Sequence, residues 1–225
     1  MPTQYFFISA VHIGGDGQLQ NCDFEAELLE LLQHIEQKQG AELIINEDAF
    51  GRWEFTTIEG PEKLEALIKQ QSKLFEQFKA TGSKITITIM PGNHDYELAC
   101  YPEYIDRLKD YNLNLVQKTS IAREVAGKKL WIEHGQRHDE TNRMPQFGNP
   151  YAEPVGYFVT RGIVGASRAG ANPRRHNRAR RGFCGGAARA VLRRAIRGAA
   201  RRLRRRDDSI GHSRGSDRLA DCAIL

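Results

Sequence analysis

The sequence predicts a layered α/β domain whose sheet is at least partly parallel. Three observations predict it: apolar strand-like runs alternate with helix-like segments, the first two helix-like segments each close on a glycine, and a strand-rich section follows. "QYFFIS" (residues 4–9) reads as a buried strand, and "DFEAELLELLQHIEQKQG" (23–40) carries Leu28, Leu29, Leu32 and Ile35 at helical spacing before Gly40. "AELIIN" (41–46) is a second strand and "EDAFGRWEF" (47–55) a loop. "EKLEALIKQQSKLFEQFKATG" (62–82) is one helix stopped by Gly82. "KITITIM" (84–90) is a third strand running into "PGNHDYE", and "PEYIDRLKDY" (102–111) a short helix. "LNLVQK", "SIAREV" and "KKLWIE" then read as strands, with a hairpin turn at Ala126 and Gly127.

The chain has 225 residues, 40% hydrophobic and 27% charged, enough for one substantial core. Its net charge of +5 is the sum of two unlike pieces. Before Arg161 there are 15 Lys plus Arg against 24 Asp plus Glu. From Arg161 onward there are 18 arginines, no lysine and 4 acidic residues. We therefore expect a domain over residues 1–160 and an Arg/Ala/Gly-rich tail over 161–225. Leu192, Ile196, Ala199 and Leu203 recur at helical spacing, which allows a basic amphipathic helix over 187–205 for nucleic acid or an acidic membrane surface. Phe183 is the only aromatic there, which disfavours base stacking. The composition is also what a shifted reading frame through GC-rich DNA produces, and that account expects a poorly folded tail. Translating the other frames should then recover a G-H-x-H block downstream.

Cys22, Cys100, Cys184 and Cys222 are scattered with no C-x-x-C pair, so neither a zinc knuckle nor a disulfide framework is suggested. Reduced thiols, with no signal-peptide pattern and no run of 18 apolar residues, lead us to expect a soluble cytoplasmic protein.

In sheets of this kind ligands sit at the carboxyl ends of strands. Each polar cluster follows the end of an apolar strand: His12 after the first, Asp48 after the second, Asn93, His94 and Asp95 after the third, His134 after "LWIE". A lone histidine is usually structural. Four strand ends delivering His, Asp and Asn to one rim are different, and this oxygen and nitrogen supply suits Mn, Fe, Zn or Mg. Gly14, Gly15, Gly92 and Gly135 beside them permit close approach.

These residues resemble a known family. "FISAVHIGG", "INEDAF", "PGNHD" and "EHG" are similar, in order, to the blocks of the calcineurin-like metallophosphoesterases: D-x-H, G-D, G-N-H-D or G-N-H-E, H, and a closing G-H-x-H. The resemblance spans roughly residues 4–160. It implies a metallophosphoesterase-like β-sandwich flanked by helices, incomplete at the C-terminus, and hydrolysis of a phosphomonoester or phosphodiester at a dinuclear centre of two divalent ions. By the same resemblance Asp48 would bridge both metals, His12 would belong to the first, and Asn93 and His134 to the second. His94 would stabilise the phosphate or act as general acid, with Asp95 orienting its ring.

The chain departs from this pattern in three places, and the loss of the first aspartate and of the closing block counts against intact catalysis. Ala10 stands where the family has its first aspartate, and a methyl group binds no metal. Glu47 replaces the glycine before Asp48, and its carboxylate is a candidate substitute. The closing block is absent: in "IGHSRG", Arg214 occupies the second histidine's place after His212. The alternative is a catalytically inactive relative that binds nucleic acid or acidic membrane through its arginine-rich tail.

Overall fold

In the computed structural model, residues 2, 4–16, 22–164 and 222–224 are described. The expected helix over 187–205 and His212 lie outside them. Five parallel strands form the main sheet in the order β4-β3-β2-β1-β7, with β1 at Gln4–Ile8, β2 at Ala41–Asn46, β3 at Thr86–Met90, β4 at Leu113–Leu115 and β7 at Cys222–Ile224. The edge strand β7 thus comes from the end of the arginine-rich part and pairs with β1. A second, antiparallel sheet joins β5 (Ile121–Val125) to β6 (Lys128–Ile132). Its two-residue turn has Ala126 at φ 51° and Gly127 at φ 75°, the left-handed pair that matches strand twist.

The alternation of strand side chains builds the layers. Phe6, Leu43, Ile45, Ile87 and Ile89 face the helices, where Leu28, Leu31, Leu32 and Ile35 of α1 (Glu25–Ile35) complete the larger core. Tyr5, Phe7, Ile44 and Met90 face the other way and meet Ile121 and Ile132 of the hairpin. One sheet, buried on both sides, lies between helices and hairpin, so the apolar residues of β2 and β3 are buried on both faces while the buried polar pair Thr88 and Glu42 is hydrogen-bonded. Buried Glu42 fastens the hairpin: Arg123 donates to it twice, at 2.8 and 2.7 Å, and Thr88 donates at 2.6 Å.

One expectation needs correction. The segment over 62–82 is two helices, α2 (Glu62–Gln70) and α3 (Ser72–Gly82), parted at Gln71 with φ −113° and ψ 35°. The buried stripe of Leu64, Leu67, Ile68, Leu74, Phe75 and Phe78 runs straight through, so periodicity does not reveal the break. Gln71 itself falls on that buried stripe, and the chain leaves helical geometry where a polar amide meets the core.

Beyond α4 (Glu103–Lys109), the chain from β6 to α5 (Val155–Phe158) folds back over the loop after β3. Tyr96 donates to the carbonyls of Gln146 and Asn149 at 2.7 and 2.6 Å. Glu153 lies in this return, and burial together with the charge of Glu97 pushes its carboxyl up to about 7. The folded state therefore holds that proton more tightly than the unfolded chain, so stability should fall as pH rises from about 4.5 through 7. Chemical denaturation at pH 5 and pH 8 should show this fall reduced in Glu153→Gln.

Candidate metal and phosphate site

The loops after β1, β2 and β3 run against one another and are tied by backbone hydrogen bonds. His12 N–H donates to the Asp48 carbonyl at 2.9 Å, Ile13 N–H to Ala49 at 2.9 Å, and Gly51 N–H to Ile13 at 2.8 Å. Arg52 N–H reaches the His94 carbonyl at 3.2 Å. Within this knot Ala10, His12, Glu47 and Asp48 all have positive φ, at 54°, 50°, 66° and 47°. Left-handed geometry at non-glycine residues costs on the order of 1–3 kcal/mol each and is concentrated at functional sites.

Asp48 is the centre of the arrangement. Its Oδ2 lies 3.8 Å from His12 Nε2 and 3.4 Å from His134 Nε2, and its Oδ1 accepts the His94 backbone N–H at 2.8 Å. His134 arrives from the opposite layer, at the end of β6, where Asn46 donates to the Glu133 carbonyl at 3.3 Å. Both histidines have the same setting: Nε2 turns to Asp48 and Nδ1 to another carboxyl. For His12 that second group is Glu54 Oε1 at 3.9 Å, and for His134 it is Glu47 Oε2 at 3.3 Å. Burial lowers the pKa of His12, which favours the neutral imidazole that ligates metal.

Gly92 allows the third loop to close on Asp48. A Cβ there would lie 2.1 Å from Asp48 Oδ1 and 2.7 Å from its backbone nitrogen. Gly92→Ala should cost about 1–3 kcal/mol of stability and displace the carboxylate. Calorimetric melting together with Mn²⁺ titration would show both losses. Asn93 is buried on this loop between Gly92 and His94.

The His94 ring is held on three sides. Glu54 Oε1 faces its Nδ1 at 3.0 Å, Trp53 covers it at 4.1 Å between centroids, and the His12 ring meets it edge-on at 4.3 Å. Burial works to lower the pKa of His94, but the hydrogen bond and charge of Glu54, with Asp48 and Asp95, outweigh it and raise the pKa. His12, Glu54 and His94 also place one ligand atom each within 4.8 Å of the others.

Glu54 takes the place that the resemblance gives to Asp95. The Asp95 carboxylate instead accepts the N–H of Gly92 at 2.6 Å and of Phe50 at 3.1 Å, locking two site loops together. Burial and the charge of Asp48 raise its pKa. Sequence reasoning missed Glu54 and Trp53, whose only signal is a Trp-Glu pair in the loop after Asp48. The Glu47 carboxyl, the candidate substitute for the missing aspartate, turns to His134 Nδ1 at 3.3 Å, and burial with the nearby Asp95 pushes its pKa up to about 9.

The donor set fits divalent cations: two imidazole nitrogens converge on one carboxylate oxygen, with further carboxyls behind them. Residues 7–158 match the family model of the calcineurin-like phosphoesterases. The chain belongs to this family. No curated protein and no solved structure matches it significantly. The calcineurin-like phosphoesterases as a family are metal-dependent phosphoester hydrolases, and the mixed α/β architecture with its parallel sheet and flanking helices agrees with that membership. Among the described residues, no helix is long and apolar enough to cross a membrane.

Proposed function

We propose that this calcineurin-like phosphoesterase hydrolyses a phosphomonoester or phosphodiester at a centre of two divalent cations, Mn, Fe, Zn or Mg, and does so with impaired efficiency. The observation that carries the reading is the paired approach of His12 Nε2 and His134 Nε2 to one oxygen of Asp48. Asp48 would be shared between the two cations, with His12 on one side and Asn93 and His134 on the other. When bound, such ions supply Lewis-acid stabilisation of phosphate charge and make water a usable nucleophile at neutral pH.

The remaining work falls to the chain's own residues. Glu54 fixes the His94 ring through Nδ1, so the opposite nitrogen, Nε2, is the one available to donate a proton to the leaving oxygen. The hydrogen bond and charge of Glu54 raise the pKa of His94 against its burial, which favours the protonated ring. Asp95 acts as a positioning residue, holding Gly92 and Phe50 so that His94 and Asp48 keep their spacing. Impairment follows from Ala10, which leaves the His12 side one carboxylate short.

The test is hydrolysis of bis(p-nitrophenyl) phosphate by the full chain, with Mn²⁺ and with a chelator. Activity should require Mn²⁺ and fall by about 10²- to 10⁴-fold in His94→Ala. Turnover indifferent to chelation, or an unchanged rate in His94→Ala, would overturn the reading.

A further inference from the structure

The ring of His12 stands between two carboxylates. Its Nε2 lies 3.8 Å from Asp48 Oδ2, and its Nδ1 lies 3.9 Å from Glu54 Oε1. On the Glu54 side the same oxygen is 3.0 Å from His94 Nδ1, and the two imidazole rings meet edge-on at 4.3 Å and 89°. Two imidazole nitrogens and one carboxylate oxygen thus converge, all within 4.8 Å of one another. Ligand bonds of about 2.0–2.2 Å put neighbouring donors roughly 3–4 Å apart around a cation, so a small closing movement brings these three onto one ion.

The second oxygen of Glu54 is an independent sign of a missing partner. Glu54 is 7% exposed, and among the described residues its Oε2 is buried without a hydrogen-bond partner. A buried carboxylate oxygen left unmatched is costly, and a cation on the same carboxylate offsets that cost. Gly51 makes room for it: a Cβ there would lie 3.0 Å from Oε2.

We propose that His12 Nδ1, Glu54 and His94 Nδ1 form a second metal site, suited to Zn²⁺, that competes with the Asp48 centre for His12. Two imidazoles and one carboxylate are a donor set of zinc sites, richer in nitrogen than Asp48, Asn93 and His134. Through Nε2 the His12 ring serves a cation at Asp48, and through Nδ1 a cation at Glu54, so filling one position withdraws His12 from the other. Ala10 sharpens this competition, because it adds no carboxylate on the Asp48 side. The inference goes beyond the hydrolytic reading and does not require turnover.

The test measures Zn²⁺ binding to the full chain by competition with a chelating dye, and Mn²⁺ binding by electron paramagnetic resonance with and without one equivalent of Zn²⁺. The unsubstituted protein should bind Zn²⁺, and that equivalent should weaken Mn²⁺ binding by about tenfold or more. Glu54→Gln should lower Zn²⁺ affinity by at least about tenfold and remove the antagonism, with Mn²⁺ affinity in the absence of Zn²⁺ unchanged. His94→Ala should lose the same Zn²⁺ affinity, which keeps the test decisive if Glu54→Gln does not fold. His134→Ala should do the reverse, weakening Mn²⁺ and sparing Zn²⁺. Zn²⁺ affinity that survives Glu54→Gln or His94→Ala in folded protein, or that falls in His134→Ala, would place Zn²⁺ at the Asp48 centre and overturn the inference while leaving the hydrolytic reading intact. Absence of Zn²⁺ binding to the unsubstituted protein would overturn it as well.

Discussion

Ala10→Asp is expected to tighten Mn²⁺ binding by about tenfold or more, read by titration calorimetry. The reason is local. Position 10 lies in the knot of site loops, with its N–H 3.4 Å from the Glu47 carbonyl, and has φ 54°. Alanine adopts that left-handed geometry at a cost, whereas aspartate is enriched there, so the backbone already suits the carboxylate. The new charge would stand beside His12, whereas the Glu47 carboxyl is turned to His134. Unfolding stability without metal should be unchanged or slightly higher. Unchanged Mn²⁺ affinity would mean that position 10 does not border the cation site.

Glu97→Ala should be the most damaging substitution away from the cation site, at about 3–5 kcal/mol. Glu97 pairs with Arg52 and, at 2.8 Å, with the Lys63 ammonium, and those two side chains are 1% and 0% exposed. Its carboxyl is held low despite burial, because the Arg52 and Lys63 charges overcome the desolvation that would raise it. Removing it leaves two cations buried: among the described residues, Arg52 retains the Gly60 carbonyl, the Tyr104 hydroxyl and the face of the Tyr104 ring, and Lys63 retains Glu59 at 3.2 Å. Arg107→Ala is the control. That guanidinium pairs with Glu65 at 2.6 Å on the exposed face, where about 1 kcal/mol or less is at stake. Urea unfolding of the two variants should separate them clearly, and a loss below 1 kcal/mol for Glu97→Ala would contradict the buried-network account.

Arg52 also links stability to the site, since it precedes Trp53 and Glu54 on the loop that frames His94. Loosening its anchor should loosen the ring.

The strand ends were legible because a strand-forming segment gives way to a polar cluster at each of them. His12, Asp48, Asn93, His94 and His134 stand where such runs end, and the structure gathers His12, Asp48, His94 and His134 around shared contacts. The turn at Ala126 and Gly127 was legible for a similar reason, because a two-residue turn between strands demands positive φ.

What escaped was decided by contacts distant in sequence. Glu54 becomes the partner of His94 only because the loops after β2 and β3 pack together, 40 residues apart along the chain. Asp95 is one residue from His94, yet its carboxylate points to backbone N–H groups that adjacency does not reveal. The break at Gln71 escaped because the apolar stripe keeps its period on both sides. The contact between Trp53 and Tyr157 escaped because the two are separated by more than a hundred residues and meet only when α5 folds back.

The measurement that bears most directly on the central claim is Mn²⁺ binding to the full chain, followed by electron paramagnetic resonance, in the unsubstituted protein and in Asp48→Asn. If Asp48 is the carboxylate on which His12 and His134 converge to hold metal, the unsubstituted protein should bind Mn²⁺ and Asp48→Asn should lose that binding while remaining folded. Equal binding by the two proteins, or none by the unsubstituted one, would contradict the account.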